Sequence, residues 1–172
     1  MNYETCPEIE AAVVKYFDPR RCCIVPNVWW GLNLNHECDL FVLTKTGYAY
    51  EVEIKTSKSD IKADLKKAKI AGNYDKYWHD SKKIHKLYFA IPAKLENCID
   101  LIPNRAGILI VGTTGTIVKL REAKLNPDAR KLNEKEILKL AHLGTMRIWT
   151  LKAALLSLAE MKGIPIQGVL PF

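Results

Sequence analysis

Residues 36–55 read HECDLFVLTKTGYAYEVEIK, and this stretch decides the fold. Val, aromatic residues and alternating polarity predict two strands here, 38–44 and 48–55. Successive side chains of a strand point to opposite faces of the sheet. In the second strand the apolar face would carry Tyr48, Tyr50, Val52 and Ile54, and the charged face Ala49, Glu51, Glu53 and Lys55.

The turn between the two strands sets their register. Residues 45–47, Lys-Thr-Gly, match a three-residue hairpin loop in which a type I turn is closed by a left-handed glycine. That loop pairs Thr44 with Tyr48 and so places Asp39 directly opposite Glu53. Two carboxylates about 5 Å apart at Cβ repel each other across a sheet. The arrangement therefore predicts a divalent cation between them.

Asp39 and Glu53 are the ligand type that Mg²⁺ or Mn²⁺ takes, since hard ions accept protein carboxylates, waters and phosphate oxygens. We expect the backbone carbonyl of Ile54 to add a ligand. Lys55 follows on the same face, where its ammonium can orient an attacking water or hold a phosphate oxygen. This set predicts hydrolysis of a phosphodiester bond.

At these residues the sequence resembles the PD-(D/E)xK nuclease superfamily. Asp39 corresponds to the first acid of that pattern and 53–55 to its Glu-x-Lys. The segments 51–67 (EVEIKTSKSDIKADLKK), 87–92 (LYFAIP) and 106–111 (AGILIV) are similar, more narrowly, to MmcB-like DNA-repair nucleases and related phage proteins. Cys38 is a departure, since the pattern has Pro at that position.

The resemblance implies a restriction-endonuclease-like α/β fold, with an αβββαβ core and a mixed central sheet flanked by helices. It also implies metal-dependent cleavage of DNA in repair, recombination or phage biology. The superfamily often adds an acid from the opening helix. Glu10 is our preferred auxiliary catalytic residue, with Glu8 as its competitor, while both acids also suit a first helical turn as solvated groups.

Helical spacing and strand composition outline a single domain over 1–172, with the core at about 5–120 and C-terminal helices at about 134–162. An apolar stripe predicts an opening helix over 7–17, and Ser59 caps a second helix that runs to about residue 71. The remaining predicted elements are strands at 22–29, 87–91, 107–111 and 115–120 and two helices at 134–143 and 145–161, with a candidate linker at 124–133.

The charge of the chain is concentrated after Lys55. Lys and Arg total 26 against 19 Asp and Glu, a net charge of +7, and residues 55–86 hold ten Lys against four Asp. Basic residues interleaved with aromatic ones suit phosphate contacts and base stacking, so DNA is the expected partner. The alternative is a solvated helix whose lysines pair with its own aspartates. The predicted nucleic-acid-binding residues are Lys58, Lys62, Lys66, Lys67, Lys69, Tyr74 and Trp78.

Composition excludes several classes of protein. The chain has 172 residues, of which 48% are hydrophobic, and contains no apolar run long enough to span a membrane. Its acidic start is unlike a signal peptide, so we expect a cytoplasmic protein. The five cysteines form no CxxC pair, which predicts reduced thiols, and no cysteine–histidine spacing predicts a zinc site.

The sequence thus favours a metal-dependent deoxyribonuclease. A non-catalytic nucleic-acid-binding module with the same fold is the alternative, and a subunit whose basic face binds an acidic protein is a third reading. Breaking both strands of DNA often requires two active sites, so a homodimer is one assembly that the sequence allows.

Overall fold

The structure, a computed structural model, describes residues 3–29, 31–34, 36–63 and 82–163. Its centre is a six-stranded sheet in which the strands lie side by side in chain order. The strands are β1 (Cys22–Val28), β2 (Cys38–Thr44), β3 (Ala49–Ile54), β4 (Ile84–Pro92), β5 (Gly107–Val111) and β6 (Ile117–Arg121). The sheet is mixed, because β4 runs parallel to both β3 and β5 while the other pairs are antiparallel.

Helix α1 (Cys6–Phe17) covers one face of the sheet. It begins where Thr5 and Glu8 form a capping box, with the Glu8 carboxylate accepting from the Thr5 backbone N–H at 3.1 Å. Its buried residues Ile9 and Val13 pack on apolar side chains of the central strands, including Val52 of β3. The predicted opening helix is confirmed to within one residue.

The β2–β3 hairpin has the predicted register. Gly47 is left-handed, with φ of +87°, and its N–H donates to the Thr44 carbonyl at 3.0 Å. Leu43 pairs with Ala49 and Leu40 with Val52. The turn between β5 and β6 likewise ends in a left-handed glycine, Gly115, with φ of +77°.

The opposite face of the sheet is covered in two parts. Helix α2 (Glu134–Met161) packs Leu140 and Leu143 against Phe41 and other residues of β1 to β3. A helical segment over 58–63 and a 3₁₀ helix (Ala93–Leu101) cover β4 and β5, where Ile61 is buried in a separate apolar cluster. The described chain thus forms two helical layers around one sheet.

Two predicted helix boundaries are wrong. The C-terminal region is one helix rather than two, because Gly144 keeps a negative φ and continues the helix. The helix after β3 is capped by Ser57, whose hydroxyl accepts from the Asp60 N–H at 3.1 Å, and not by Ser59. The predicted end of that helix, at about residue 71, lies outside the described residues.

The predicted strands are all present, although β4 spans 84–92 instead of the predicted 87–91. The candidate linker at 124–133 is wrong. This segment is bound to the sheet, since the N–H of Asn126 donates to the carbonyl of His85 and that of Leu132 to Gly47. Asn126 is fully buried. Within the described ranges, no helix combines the length and the apolarity needed to cross a bilayer.

Candidate active site

Asp39 and the end of β3 meet at the edge of the β2–β3 hairpin farthest from its turn. The ladder between β2 and β3 ends at the Leu40–Val52 pair, and Asp39 and Glu53 are the next residues along the two strands. The Asp39 Oδ2 atom accepts a hydrogen bond from the Ile54 N–H at 2.7 Å. A side chain therefore takes over where the backbone ladder ends, and this fixes the Asp39 carboxylate beside the Glu-x-Lys tripeptide.

Glu53 and Lys55 form a buried ion pair. Their residues are 7% and 6% exposed, and Lys55 Nζ lies 2.8 Å from Glu53 Oε2. The backbone N–H of Lys55 donates to the Ala90 carbonyl of β4, which anchors the chain just after β3. Among the described residues, Glu53 Oε1 has no hydrogen-bond partner. A buried carboxylate oxygen left in this state is costly, and a cation would satisfy it.

The electrostatics of Glu53 point the same way. Burial, and then the negative charges of Glu51 and Asp39, raise the pKa of Glu53 to about 8, although Lys55 opposes the rise. Excess negative charge in a poorly solvated place is what a divalent ion relieves. With carboxylate oxygens as the donors, the chemistry of the site fits Mg²⁺ or Mn²⁺.

Helix α1 contributes one of its two candidate acids to this edge. Burial, followed by the charge of Asp39, raises the pKa of Glu10, so the two carboxylates are close enough to interact. Glu8 instead accepts from both the backbone and the hydroxyl of Thr5, and is used by the helix cap. Of the two acids, Glu10 is therefore the one whose pKa responds to the charge of Asp39. Its catalytic role stays a prediction.

A second cluster, which sequence reasoning missed, lies next to this one. His36 Nε2 is 2.5 Å from Glu51 Oε1. Burial, and then the charge of Glu51, raise the pKa of the Cys38 thiol. One ligand atom from each of these three residues lies within 4.8 Å of the others. The only sequence signal was the His-x-Cys spacing, and its third member comes from the neighbouring strand.

The predicted nucleic-acid-binding residues are described in part. Lys58 and Lys62 are exposed on the helical segment that follows Lys55. Two other lysines of the basic stretch form ion pairs with carboxylates. Lys83 is buried and its Nζ lies 3.3 Å from Glu136 Oε1, whereas Lys86 Nζ lies 2.7 Å from Glu122 Oε1. The predicted residues Lys66, Lys67, Lys69, Tyr74 and Trp78 lie outside the described residues.

No protein-family model matches the chain, and no curated protein does. Among solved structures the chain is similar to SPO1766, a protein of unknown function from Silicibacter pomeroyi. The two share 17% sequence identity with a TM-score of 0.58, and the match covers 92% of this chain and 93% of that one. At this identity the likeness speaks for the fold alone: a mixed α/β fold with helices on a six-stranded sheet.

Proposed function

We propose that this protein is a divalent-metal-dependent DNA endonuclease. The observation that carries the proposal is the hydrogen bond from the Ile54 N–H to the Asp39 carboxylate, which brings Asp39 beside the tripeptide that holds Glu53 and Lys55. Repulsion between these acidic side chains is unfavourable, and a bound cation would relieve it. Repair, recombination or phage biology is the setting that the family resemblance suggests.

In this proposal each group has a separate task. Asp39, Glu53 and the Ile54 carbonyl would hold Mg²⁺ or Mn²⁺, which would supply positive charge to stabilise the phosphate during cleavage. The Lys55 ammonium orients the attacking water or a phosphate oxygen. Glu10 is the auxiliary acid. Lys58 and Lys62 contact the phosphates of the DNA next to the cleavage point.

The finer fold assignment belongs to the same proposal. The order of elements is α1, β1, β2, β3, the helical segment 58–63 and β4, which is the order of an αβββαβ core. Strands β1 to β3 form an antiparallel meander, and β4 then joins β3 in parallel. This order supports a restriction-endonuclease-like core to which β5, β6 and α2 are added.

Nicking of supercoiled plasmid tests the function. We expect the wild-type protein to relax the plasmid with Mg²⁺ or Mn²⁺ and to lose activity when EDTA is added. Lys55→Ala should abolish nicking. Lys135→Ala is the matched control, because it removes the same charge from an exposed position of α2. Circular dichroism of each variant checks that the fold is kept.

Two outcomes would count against the enzyme. If the wild-type protein binds DNA but does not cut it with any divalent ion, the binding-module reading replaces the nuclease. If Lys55→Ala and Lys135→Ala nick equally well, the activity does not reside at this site.

A further inference from the structure

The cluster of His36, Cys38 and Glu51 is distinct from the proposed magnesium site in its chemistry. Asp39, Glu53 and the Ile54 carbonyl offer oxygen only, whereas this cluster offers one imidazole nitrogen, one thiol sulfur and one carboxylate. Thiolate and imidazole ligands select zinc and similar transition metals over magnesium. Two neighbouring sites of different donor type would therefore take different ions.

The spacing of the three groups suits one ion after small side-chain shifts. Their candidate ligand atoms already lie within 4.8 Å of one another. With zinc–ligand bonds of about 2.0–2.3 Å, tetrahedral ligands stand about 3.5 Å apart. The His36–Glu51 contact of 2.5 Å would open and the longer separations would close.

Burial gives an independent reason to expect a ligand at this cluster. Cys38 and Glu51 are 0% exposed. The Glu51 Oε2 atom is buried and, within the described part of the chain, has no hydrogen-bond partner. The His36 side chain is 26% exposed, which leaves a route for an ion from solvent. A thiolate and a carboxylate would together balance the charge of a divalent ion in this dry place.

We propose that His36, Cys38 and Glu51 bind a zinc-class transition-metal ion through three protein ligands, with a fourth position open to water. Binding releases the thiol proton of Cys38 to solvent. The ion ties the segment before β2 to the middle of β3. This inference does not depend on the proposed nuclease activity.

Cobalt(II) is the probe, because a cysteine thiolate bound to it gives a near-ultraviolet charge-transfer absorption. We expect one equivalent of Co²⁺ per chain to produce this band in the wild-type protein. Excess Zn²⁺ should remove the band and excess Mg²⁺ should not. Cys38→Ser should lose the band, whereas Cys98→Ser, which alters another buried cysteine, should keep it.

His36→Gln is the second variant, since its side chain is partly exposed and the change leaves the core intact. It should weaken Co²⁺ binding by about 10-fold or more. The proposal is overturned if the wild-type protein shows no thiolate band, or if Cys38→Ser keeps it. A hydrogen-bonded triad that needs no metal would give the first of these results.

The two proposals fail separately. Asp39→Asn should abolish plasmid nicking and leave the Co²⁺ band unchanged. If the wild-type protein never cuts DNA but shows the Co²⁺ band, the nuclease proposal is refuted and the metal-site proposal stands. If the protein cuts DNA but shows no Co²⁺ band, the nuclease proposal stands and the metal-site proposal is refuted.

Discussion

Asp39 carries a structural bond and a proposed metal-binding role on one side chain. Its Oδ2 atom accepts a hydrogen bond from the Ile54 N–H at 2.7 Å, and its charge contributes to the raised pKa of Glu53. Asparagine keeps an oxygen that can accept the same hydrogen bond but removes the charge. The two roles can therefore be separated by a single substitution.

We expect Asp39→Asn to change the free energy of unfolding by less than about 1 kcal/mol. Metal-dependent cleavage should fall by about 100-fold or more, because a neutral amide binds a divalent ion poorly. Asp39→Ala should lose activity and also stability, by about 1–3 kcal/mol, since the buried N–H then has no acceptor. Urea denaturation and plasmid nicking measure the two effects. Cleavage by Asp39→Asn within about threefold of wild type would contradict the assignment.

Individual site residues were predictable where a short local rule fixed their position. Counting through the turn closed by Gly47 sufficed to predict the observed pairing as far as Leu40 and Val52, the residues next to Asp39 and Glu53. The same kind of rule, the Thr-x-x-Glu capping box, could have assigned Glu8 to the helix cap and left Glu10 for the site. His36 was not predictable, because its position beside Glu51 depends on how the segment between β1 and β2 folds.

At the scale of elements, the prediction of two C-terminal helices was wrong because α2 continues through Gly144. The two predicted helices, 134–143 and 145–161, leave Gly144 between them, and glycine is the common residue just past a helix end. That role needs a positive φ, which Gly144 does not have. The helix continues, and the glycine only approaches Val25 of β1, where an added Cβ would lie 3.4 Å from the nearest methyl carbon.

The prediction is that Gly144→Ala stabilises the protein by about 0.5–1 kcal/mol, because alanine costs less backbone entropy inside a helix. The contact with Val25 is close to ordinary van der Waals distance, so little strain offsets the gain. Urea denaturation of both proteins measures the difference. Gly47→Ala is the contrasting control and should destabilise, since its φ is +87°. A clear loss of stability in Gly144→Ala would show that the helix needs the glycine.

Glu136, near the start of α2, forms ion pairs with residues from two other parts of the chain, Lys83 and Arg130. Its carboxylate accepts two hydrogen bonds from Arg130 at 2.7 Å and contacts Lys83, which also donates to the Leu32 carbonyl. The hydrogen bonds from Arg130 lower the pKa of Glu136 to about 2, although burial opposes the change. Helix, sheet and the 124–133 segment are therefore linked through one charge.

This link should make stability depend on acid. Because the pKa of Glu136 is about 2 when folded and 4.5 ordinarily, the folded state binds fewer protons between these values. The stabilisation is thus complete above pH 4.5 and is lost as the pH falls towards 2. Glu136→Gln should cost about 1 kcal/mol at neutral pH, allowing for the screening of the exposed Arg130, and little at the acid end. Denaturation across this pH range measures it, and a constant difference would contradict the prediction.

Long-range arrangement was the least predictable part of the fold. The hairpins β2–β3 and β5–β6 follow from their own turns. The parallel pairing of β4 with both β3 and β5 is not fixed by any turn, because it depends on two crossovers. The sequence indicated the mixed sheet only through the family resemblance. Similarly, segment 124–133 is rich in loop-forming residues, and its attachment to the sheet depends on hydrogen bonds to His85 and Gly47, which are distant in sequence.

The net charge of +7 has a consequence that belongs to the molecule as a whole. If Lys58 and Lys62 contact DNA phosphates, each releases a counterion on binding, and the slope of log K against log salt should weaken by about 0.9 for each lysine removed. Lys58→Ala/Lys62→Ala should therefore bind duplex DNA with a shallower salt dependence than wild type.

The control for the slope is Lys135→Ala/Lys139→Ala, which lowers the net charge equally at exposed positions of α2. Fluorescence anisotropy at several salt concentrations, with Ca²⁺ in place of Mg²⁺, measures binding to a labelled duplex. If DNA binding depends only on the net charge of the protein, both pairs of substitutions will change the slope by the same amount. If it binds the surface beside Lys55, only the Lys58 and Lys62 pair will do so, and that difference connects the charge of the chain to its proposed site.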